Sequence, residues 1–461
     1  MSKPDLSDGS EHPVESAPPM GVSGALLQGV EEMSAAPTVA ANHRPRMKSG
    51  EMLAVFVGQL TLFMALVVPI GFSLAIKVGA IEPANRDTVL ALALGIASTL
   101  VLFTNPIAGV LSDRTRSRLG RRRPWFLGGV LLGTVGSVVL GLSSSTVPLI
   151  VGWCIALTGY SVANQTVLTY LGDRLPADQR GKVMGINGAL TQVGPILGIA
   201  LAGAFSAELS LMFVVPAVVA LLGGIWFVAV MKDPKFVGEV PSLRFGQLAK
   251  GFYFNPRKHS NFGWVIVSKA LVYGYIAFST LYGIYLLMSR FGLDATAVAS
   301  LTALAGLGGV VLAVAGALGG GFLSDKLKTR KPFLILSAGL LAVSAVTVGT
   351  AASIPQYIIG ALLASIGLGM YGSVDQALLL DVLPSAENEN GRYLSIFVLA
   401  SGVPQAIGPM LAAVVLTVAG GDYSWVYYAA AVFAALGALA IIPISVGRRA
   451  LLATTSIRTT A

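Results

Sequence analysis

The chain has 461 residues, of which 54% are hydrophobic and only 11% are charged, and its mean hydropathy is +0.76. Soluble globular proteins carry about 25% charged residues, so this composition excludes a soluble globular fold. The formal net charge is +9, but the basic residues cluster between apolar runs. The charge therefore indicates membrane topology, and we expect no nucleic-acid partner.

The N-terminal segment, residues 1–48, is rich in Pro, Ser, Ala, Gly and Glu and has no apolar periodicity. We predict that it forms a disordered cytoplasmic tail. We expect no secretory signal, because no basic start is followed by a short apolar region and a cleavage site. The chain has one cysteine, Cys154, which excludes an intrachain disulfide.

Twelve apolar runs follow this tail, each long enough to cross a bilayer as a helix. A helix of about 20 residues spans the hydrocarbon core. Lipid offers backbone groups no hydrogen bonds, and the runs are too long and too evenly apolar for barrel strands, so the pattern predicts an all-α membrane protein. The twelve predicted transmembrane helices cover residues 52–76, 88–112, 124–144, 146–171, 182–206, 209–231, 262–289, 296–322, 332–352, 355–381, 392–417 and 424–446.

The basic residues set the expected orientation. Six arginines lie within residues 114–123, and further Lys and Arg residues lie at 326–331, in the linker 232–261 and in both tails, all on one side of the predicted membrane. Cytoplasmic loops retain Lys and Arg, so we predict that both termini are cytoplasmic in a multi-pass protein of the cell membrane. The opposite side holds only three basic residues, Lys77, Arg86 and Arg290.

Three motifs recur in the same order at an offset of 211 to 214 residues. The stretch GVLSDRTRSRLGRRRP at 109–124 recurs as GFLSDKLKTRKP at 321–332, which lacks four residues before its proline. In this alignment Asp113 corresponds to Asp325, and Arg118 corresponds to Arg330. The other two pairs are NQTVLTYLGDRLP at 164 with DQALLLDVLP at 375, and QVGPILG at 192 with QAIGPMLA at 405.

The repeats predict two parallel six-helix bundles, because each motif returns at the same position within a half. We expect an N-terminal bundle at 49–231, a cytoplasmic linker at 232–261, a C-terminal bundle at 262–447 and a cytoplasmic tail at 448–461. One class of secondary transporters has this architecture, with its substrate site between the halves.

The first repeat motif resembles the loop between helices 2 and 3 of the major facilitator superfamily. Its form, Ser-Asp-Arg-x-x-Ser-Arg-x-Gly-Arg-Arg-Arg-Pro, is similar to that of the glycoside–cation and sucrose-transporter-like branch. The stretch YGSVDQALLLDVLP at 371–384 also resembles bacterial members of that branch. The resemblance covers residues 50–446 and implies a major facilitator fold.

The resemblance also implies that this loop fastens the two halves together on the cytoplasmic side. Asp113 would face the positive N-terminus of helix 11 near Gly391, and Asp325 would face helix 5 near Gly181. Arginines pair with carboxylates and stay charged at any working pH. The predicted cytoplasmic gate comprises Asp113, Arg114, Arg118, Arg121, Asp325, Lys326 and Arg330.

Ionisable residues inside the predicted helices are few, and each is a functional candidate because its burial in lipid is costly. Asp375 in helix 10 and Lys269 in helix 7 should lie at a similar depth from the same side. Two interpretations remain open at this point. The two residues form a structural ion pair, or a lysine that reaches the interface, or they form a proton or substrate site.

Amides and aromatic rings near the same depth suit a neutral, polyhydroxylated ligand, since amides bond hydroxyl groups and rings cover C–H faces. Helix 7 adds an aromatic stripe that serves either packing or binding, namely Tyr273, Tyr275, Phe278, Tyr282 and Tyr285. The predicted substrate and proton site comprises Asp375, Gln376, Lys269, Asn164, Gln165, Tyr160, Tyr371, Gln59 and Asn105.

Asn105 departs from the pattern of the sodium-coupled members of the glycoside–cation branch, which carry a helix 2 carboxylate before a proline. Here Asn105 precedes Pro106. The resemblance therefore implies proton coupling through Asp375, or transport without coupling. We predict a symporter that moves a sugar or glycoside by alternating access, acts as a monomer and needs no cofactor or metal.

Three other functions were weighed against this prediction. Drug or secondary-metabolite efflux by proton antiport remains the alternative, because GPILG at 194–198 partly resembles the antiporter pattern of helix 5. A sensor or scaffold on the same fold is disfavoured by the intact gate motifs. An enzyme is excluded, since the histidines His12, His43 and His259 lie in the tail and linker and form no metal or nucleophile site.

Overall fold

The computed structural model describes residues 46–233, 257, 259–382 and 390–445. The predicted tails at 1–48 and 448–461 lie almost wholly outside these residues, as does most of the predicted linker 232–261. The side chain of the candidate residue Gln376 also lies outside the described part of the chain.

The described chain is almost entirely helical. Eleven of its helices are long and apolar enough to cross a membrane, and a twelfth apolar helix has 16 residues. This confirms the predicted all-α membrane fold. The helices are α1 (Ser49–Ile81), α2 (Arg86–Arg114), α3 (Arg123–Leu142), α4 (Thr146–Arg174), α5 (Ala177–Ala204), α6 (Leu211–Val230), α7a (Ser260–Leu281), α7b (Gly283–Phe291), α8 (Ala295–Lys326), α9 (Lys331–Gly349), α10 (Ile354–Val382), α11 (Asn390–Val418) and α12 (Ser424–Leu439).

Two helices differ from their predicted lengths for local reasons. The run predicted at 262–289 is interrupted at Tyr282, where α7a ends, and Gly283, a poor helix former, begins α7b. The run predicted at 424–446 stops as a helix at Leu439, and residues 441–443 form a turn. Pro443 has no backbone N–H and cannot continue the helical hydrogen bonds.

Small residues bring helices into direct contact where lipid supplies no hydrophobic force for association. In the first half, comprising α1–α6, α3 and α4 meet along facing glycines and alanines. A Cβ atom at Gly136 would lie 2.2 Å from the backbone nitrogen of Ala156, so only glycine allows this approach. In the second half, comprising α7a–α12, α8 and α10 pack closely in the same way.

The two halves meet through α2 with α11 and α5 with α8. Leu102 of α2 contacts Gly402 of α11 near mid-depth, and the hydroxyls of Ser206 and Thr296 lie 2.8 Å apart near the ends of α5 and α8. We call the side with loops 115–122 and 327–330 the basic side, and the other membrane side the opposite side. These contacts place the closed face of the protein on the opposite side.

Candidate transport site

The structure brings Lys269 of α7a and Asp375 of α10 into a buried ion pair. The lysine Nζ donates to the Asp375 Oδ2 at 2.8 Å, and each side chain is 5% exposed. The same Nζ lies 3.5 Å from the ring centroid of Phe397, and Tyr371 hydrogen-bonds the carboxylate. The pair therefore has aromatic faces on one side and a hydroxyl donor on the other.

A buried ion pair of this kind joins two helices but is costly to desolvate. Lys269 lies nine residues after the start of α7a at Ser260, and Asp375 lies seven residues before the end of α10 at Val382. At 1.5 Å per residue both side chains lie about 10 to 15 Å inside the helix ends on the basic side. The depth and pairing are those that the sequence predicts.

The first half holds amides at the same depth. Gln59 of α1 is fully buried, and its Nε2 donates to the Oδ1 of Asn164 of α4 at 3.0 Å. Asn105 of α2 and Asn187 of α5 lie nine and ten residues from the ends of their helices on the basic side. Four neighbouring helices therefore present amides at one level of the membrane.

Three of these amides have an acceptor oxygen that is buried without a hydrogen-bond partner among the described residues. The atoms are Gln59 Oε1, Asn105 Oδ1 and Asn187 Oδ1. Buried polar atoms in native proteins are usually paired, so each unpaired oxygen needs a physical account. A solute that donates hydrogen bonds at this level would supply their partners.

Asn187 was missed by the sequence analysis. Its signal was available, because Asn187 lies ten residues inside one end of α5, as Asn164 lies ten residues inside the end of α4 at Arg174. A comparison of depths along all the predicted helices identifies it. A search limited to repeated motifs does not.

Two candidates lie away from this amide level. Tyr160 is fully buried, and its hydroxyl lies 3.0 Å from the Ser137 hydroxyl within the contact between α3 and α4. It therefore packs inside the first half and does not accompany Asn164 at a ligand site. Gln165 is half-buried.

The aromatic stripe of helix 7 separates into three environments. Tyr273 lies beside the ammonium group of Lys269, whereas Phe278 packs on the ring of Phe433. Tyr275 is buried within hydrogen-bonding distance of Ser344. Tyr282 and Tyr285 extend to the opposite side and contact the first half.

On the basic side, Arg122 forms the centre of a charged cluster in the first half. Its guanidinium donates to Asp113 Oδ1 at 2.6 Å, to Asp173 Oδ2 at 2.9 Å and to the Ser112 hydroxyl at 2.6 Å. Arg121 pairs with the same Asp173 carboxylate at 2.8 Å. The cluster fixes the end of α2 to α4 through the loop that starts α3.

The second half repeats this arrangement. Arg330 donates to the Ser324 hydroxyl at 2.8 Å and pairs with Asp325. By its contacts Arg330 therefore corresponds to Arg122, and the alignment with Arg118 is wrong because the four missing residues lie between Asp325 and Arg330. Arg118 and Lys326 are exposed, and Arg114 is half-buried.

Asp113 and Asp325 thus pair within their own halves in this structure. Their predicted contacts with the N-termini of α11 and α5 fall near Gly391 and Gly181, whose burial lies outside the described part of the chain. The role of the seven predicted gate residues stays a prediction.

The residues that follow α6 are also held by this loop, a contact that the sequence does not indicate. Asp233 accepts hydrogen bonds from the backbone N–H groups of Arg122 and Arg123 at the start of α3. Arg123 in turn donates to the carbonyl of Met231. Gly120, with φ of 106°, lies against Asp233 where a side chain has no room.

Comparisons with known proteins agree with this architecture. The family model of the Major Facilitator Superfamily matches residues 52–320 and 275–454. The solved structure of a D-xylose-proton symporter has a TM-score of 0.64 and 18% identity, and the match covers 86% of this chain and 97% of that chain. At this identity the structural match shows a shared fold.

Curated relatives match over short segments. The General alpha-glucoside permease of Schizosaccharomyces pombe is 29% identical over 113 residues, which are 21% of this chain and 20% of that protein. The Probable efflux pump gsfJ of Penicillium aethiopicum is 33% identical over 82 residues, which are 18% and 15% of the two chains. The chain thus matches a fifth or less of the length of these relatives.

The family model covers most of the chain, and the helices have the number, length and apolar character of a multi-pass membrane protein. The superfamily consists of transporters of small molecules, which confirms the prediction of a transporter and the exclusion of an enzyme. The chain therefore belongs to the Major Facilitator Superfamily.

Proposed function

We propose that the protein is a proton-coupled symporter of a small neutral solute rich in hydroxyl groups, with a sugar or glycoside as the substrate class. The observation that carries this proposal is the buried pair of Lys269 and Asp375 at the same depth as the amides of the first half. One half offers hydrogen-bonding groups without charge, and the other offers a carboxylate that can accept a proton.

The substrate class follows from the amides. Gln59, Asn105 and Asn187 present buried oxygens that accept hydrogen bonds, and hydroxyl groups are donors that fit them. A cation is a weaker fit, because among these three residues there is no carboxylate. The names of two similar proteins, a permease for alpha-glucosides and a symporter for D-xylose, support the same class.

Coupling follows from the ion pair. Protonation of Asp375 removes one of the two charges, so the attraction that ties α10 to α7a weakens. Lys269 then keeps its contact with the Phe397 ring, which favours a cation. A proton on Asp375 thereby changes the packing of the two helices, and its release on the other side of the membrane restores the pair.

The orientation and assembly are part of the proposal. The basic side is the cytoplasmic side of the cell membrane, with both termini there, because cytoplasmic loops retain Lys and Arg. One chain contains both halves, so a monomer is sufficient for transport. In this orientation the structure is closed on the external side.

The decisive experiment is uptake of a panel of labelled sugars and glycosides into proteoliposomes, with and without an inward proton gradient. We expect at least one neutral polyhydroxylated solute to accumulate above its external concentration when the gradient is present. Accumulation that the gradient does not change contradicts proton coupling, and transport restricted to charged or apolar compounds contradicts the substrate class.

Efflux of a drug or secondary metabolite by proton antiport is the second candidate, favoured by the local match to a probable efflux pump. A deletion strain distinguishes the two functions. Loss of growth on one sugar supports uptake, whereas higher cellular retention of a toxic compound supports efflux.

The first prediction concerns ions. Replacement of sodium by potassium or choline at constant pH should leave the transport rate unchanged within about 20%, because Asn105 supplies no negative charge for sodium. Uptake rates in proteoliposomes with matched osmolarity measure this. A saturable requirement for sodium contradicts the interpretation of Asn105.

A further inference from the structure

The first half and the second half are joined on the opposite side by a cluster of five residues: Arg86, Asp87, Tyr282, Tyr285 and Tyr423. The hydroxyl of Tyr423 lies between the first two, since it donates to Asp87 Oδ1 at 2.9 Å and accepts from Arg86 Nη2 at 3.1 Å. Arg86 and Asp87 begin α2, and Tyr423 lies in the loop between α11 and α12.

Helix 7 contributes two more contacts to the same place. The Tyr282 hydroxyl donates to the backbone carbonyl of Asp87 at 3.2 Å, and the Tyr285 hydroxyl donates to the carbonyl of Ala75 in α1 at 2.7 Å. The guanidinium of Arg86 lies 4.7 Å from the ring centroid of Tyr285. All of these bonds cross from one half to the other.

The three tyrosine rings form a continuous layer. Their centroids lie 5.7 to 6.4 Å apart, and none of the three residues is more than 7% exposed. Towards the solvent on the opposite side, a cavity of about 510 Å³ is lined by Pro83, Arg86, Asp87, Arg290, Asp422 and Tyr423, among others. A solute that approaches from that side reaches Arg86 and Tyr423 before the transport site.

The interruption of helix 7 makes this arrangement possible. Tyr282 lies at the end of α7a, where the regular helix stops, and Tyr285 lies in the first turn of α7b. The break directs both hydroxyls towards carbonyl groups of the first half. Asp87 and Arg86 are adjacent in sequence, so a single tyrosine hydroxyl can bond both.

We propose that these five residues form a latch that closes the transport site towards the opposite side, and that its opening exposes the site to that side. Every bond in the latch joins the two halves, so separation of the halves on the opposite side must break all of them together. The inference rests on the transporter fold and requires neither the proposed substrate nor proton coupling.

The test measures the open population directly. Spin labels at Ser144→Cys and Ala352→Cys, in a Cys154→Ser background, report the distance between exposed loops of the two halves on the opposite side. Double electron–electron resonance in lipid nanodiscs, without substrate and at constant pH, gives the distance distribution. Tyr423→Phe should increase the long-distance population about fivefold, since it removes two hydrogen bonds and keeps the ring.

Tyr428→Phe is the matched control. Tyr428 lies in α12, and the structure places its ring against Trp425 of the same helix. It should leave the distance distribution unchanged. An unchanged distribution in Tyr423→Phe, or an equal shift in both variants, overturns the latch.

A double-mutant cycle tests whether the residues act together. Asp87→Asn combined with Tyr423→Phe should shift the population little further than the stronger single variant, because both changes remove the same bond. Fully additive shifts overturn the proposed coupling. If Tyr423→Phe does not fold, Arg86→Gln must produce the same opening, and failure to do so also overturns the latch.

Discussion

Replacement of Asp375 by asparagine should abolish accumulation of substrate against a gradient while counterflow persists at least in part. Asparagine keeps the volume of the side chain, matches Asn164 in the other half of the repeat and cannot exchange a proton. Counterflow needs no net movement of protons, so it depends on substrate binding and on the movement of the two halves. Only the coupled step requires Asp375 to titrate.

The variant also leaves Lys269 as a buried charge without its carboxylate partner. Removing one member of a buried pair costs about 3 to 5 kcal/mol in other proteins, so the free energy of unfolding should fall by a similar amount. The double variant Asp375→Asn with Lys269→Gln removes both charges. It should recover most of the lost stability but none of the coupling.

These variants therefore separate stability from coupling. The measurements are thermal unfolding in detergent, substrate accumulation driven by a proton gradient, and exchange of labelled for unlabelled substrate. Asp375→Glu should retain some coupling with an altered pH optimum. Accumulation by Asp375→Asn would show that Asp375 is structural, and loss of counterflow in the stable double variant would make it a binding residue.

Much of the fold is predictable because lipid permits few alternatives. Each apolar run must satisfy its own backbone, so run length alone predicts eleven long helices and the shorter α12. The break of helix 7 at Tyr282 was not predicted, since the apolar pattern continues through it. Its cause is tertiary, because the hydroxyls of Tyr282 and Tyr285 bond carbonyls of the first half.

The site is predictable where depth decides, and not where tertiary contact decides. Lys269 and Asp375 lie at matching positions in their helices, and the structure pairs them. The bond between Arg86 and Tyr423 joins positions 337 residues apart, and no local pattern in either segment indicates it. Asn187 lies between these cases, because its depth was readable but no motif marked it.

Six neighbouring arginines illustrate the same limit. Their number predicts topology, but charge alone does not show which of them is buried. Arg122 is 3% exposed, while Arg118 is exposed on the surface. An alignment counted back from Pro124 and Pro332 pairs Arg122 with Arg330, as the structure does; an alignment counted forward from the aspartates does not.

Arg122→Gln should lower the free energy of unfolding by about 2 kcal/mol and the transport rate by about tenfold. The guanidinium bonds two carboxylates and a serine, and hydrogen bonds to charged groups contribute about 1.5 to 3 kcal/mol. Asp113 and Asp173 are about half exposed, so water partly replaces the lost bonds and limits the cost.

Arg118→Gln is the matched control, because it removes the same charge from the same loop at an exposed position. It should change stability by less than about 0.5 kcal/mol and leave transport near wild type. Both variants lose one positive charge, so a topology that depends only on the number of arginines is affected equally. Thermal unfolding, cysteine accessibility and proteoliposome uptake measure the three consequences.

The two outcomes distinguish a gate from a topology signal. If Arg122 positions Asp113 for the gate, Asp113→Asn should also slow transport while it keeps membrane insertion, and its effect should add little to that of Arg122→Gln. Equal effects of Arg122→Gln and Arg118→Gln on insertion, with wild-type turnover of the inserted protein, would leave the arginines with a topological role alone. The buried position of Arg122 between two carboxylates favours the first outcome, since a charge needed only for orientation has no reason to leave water.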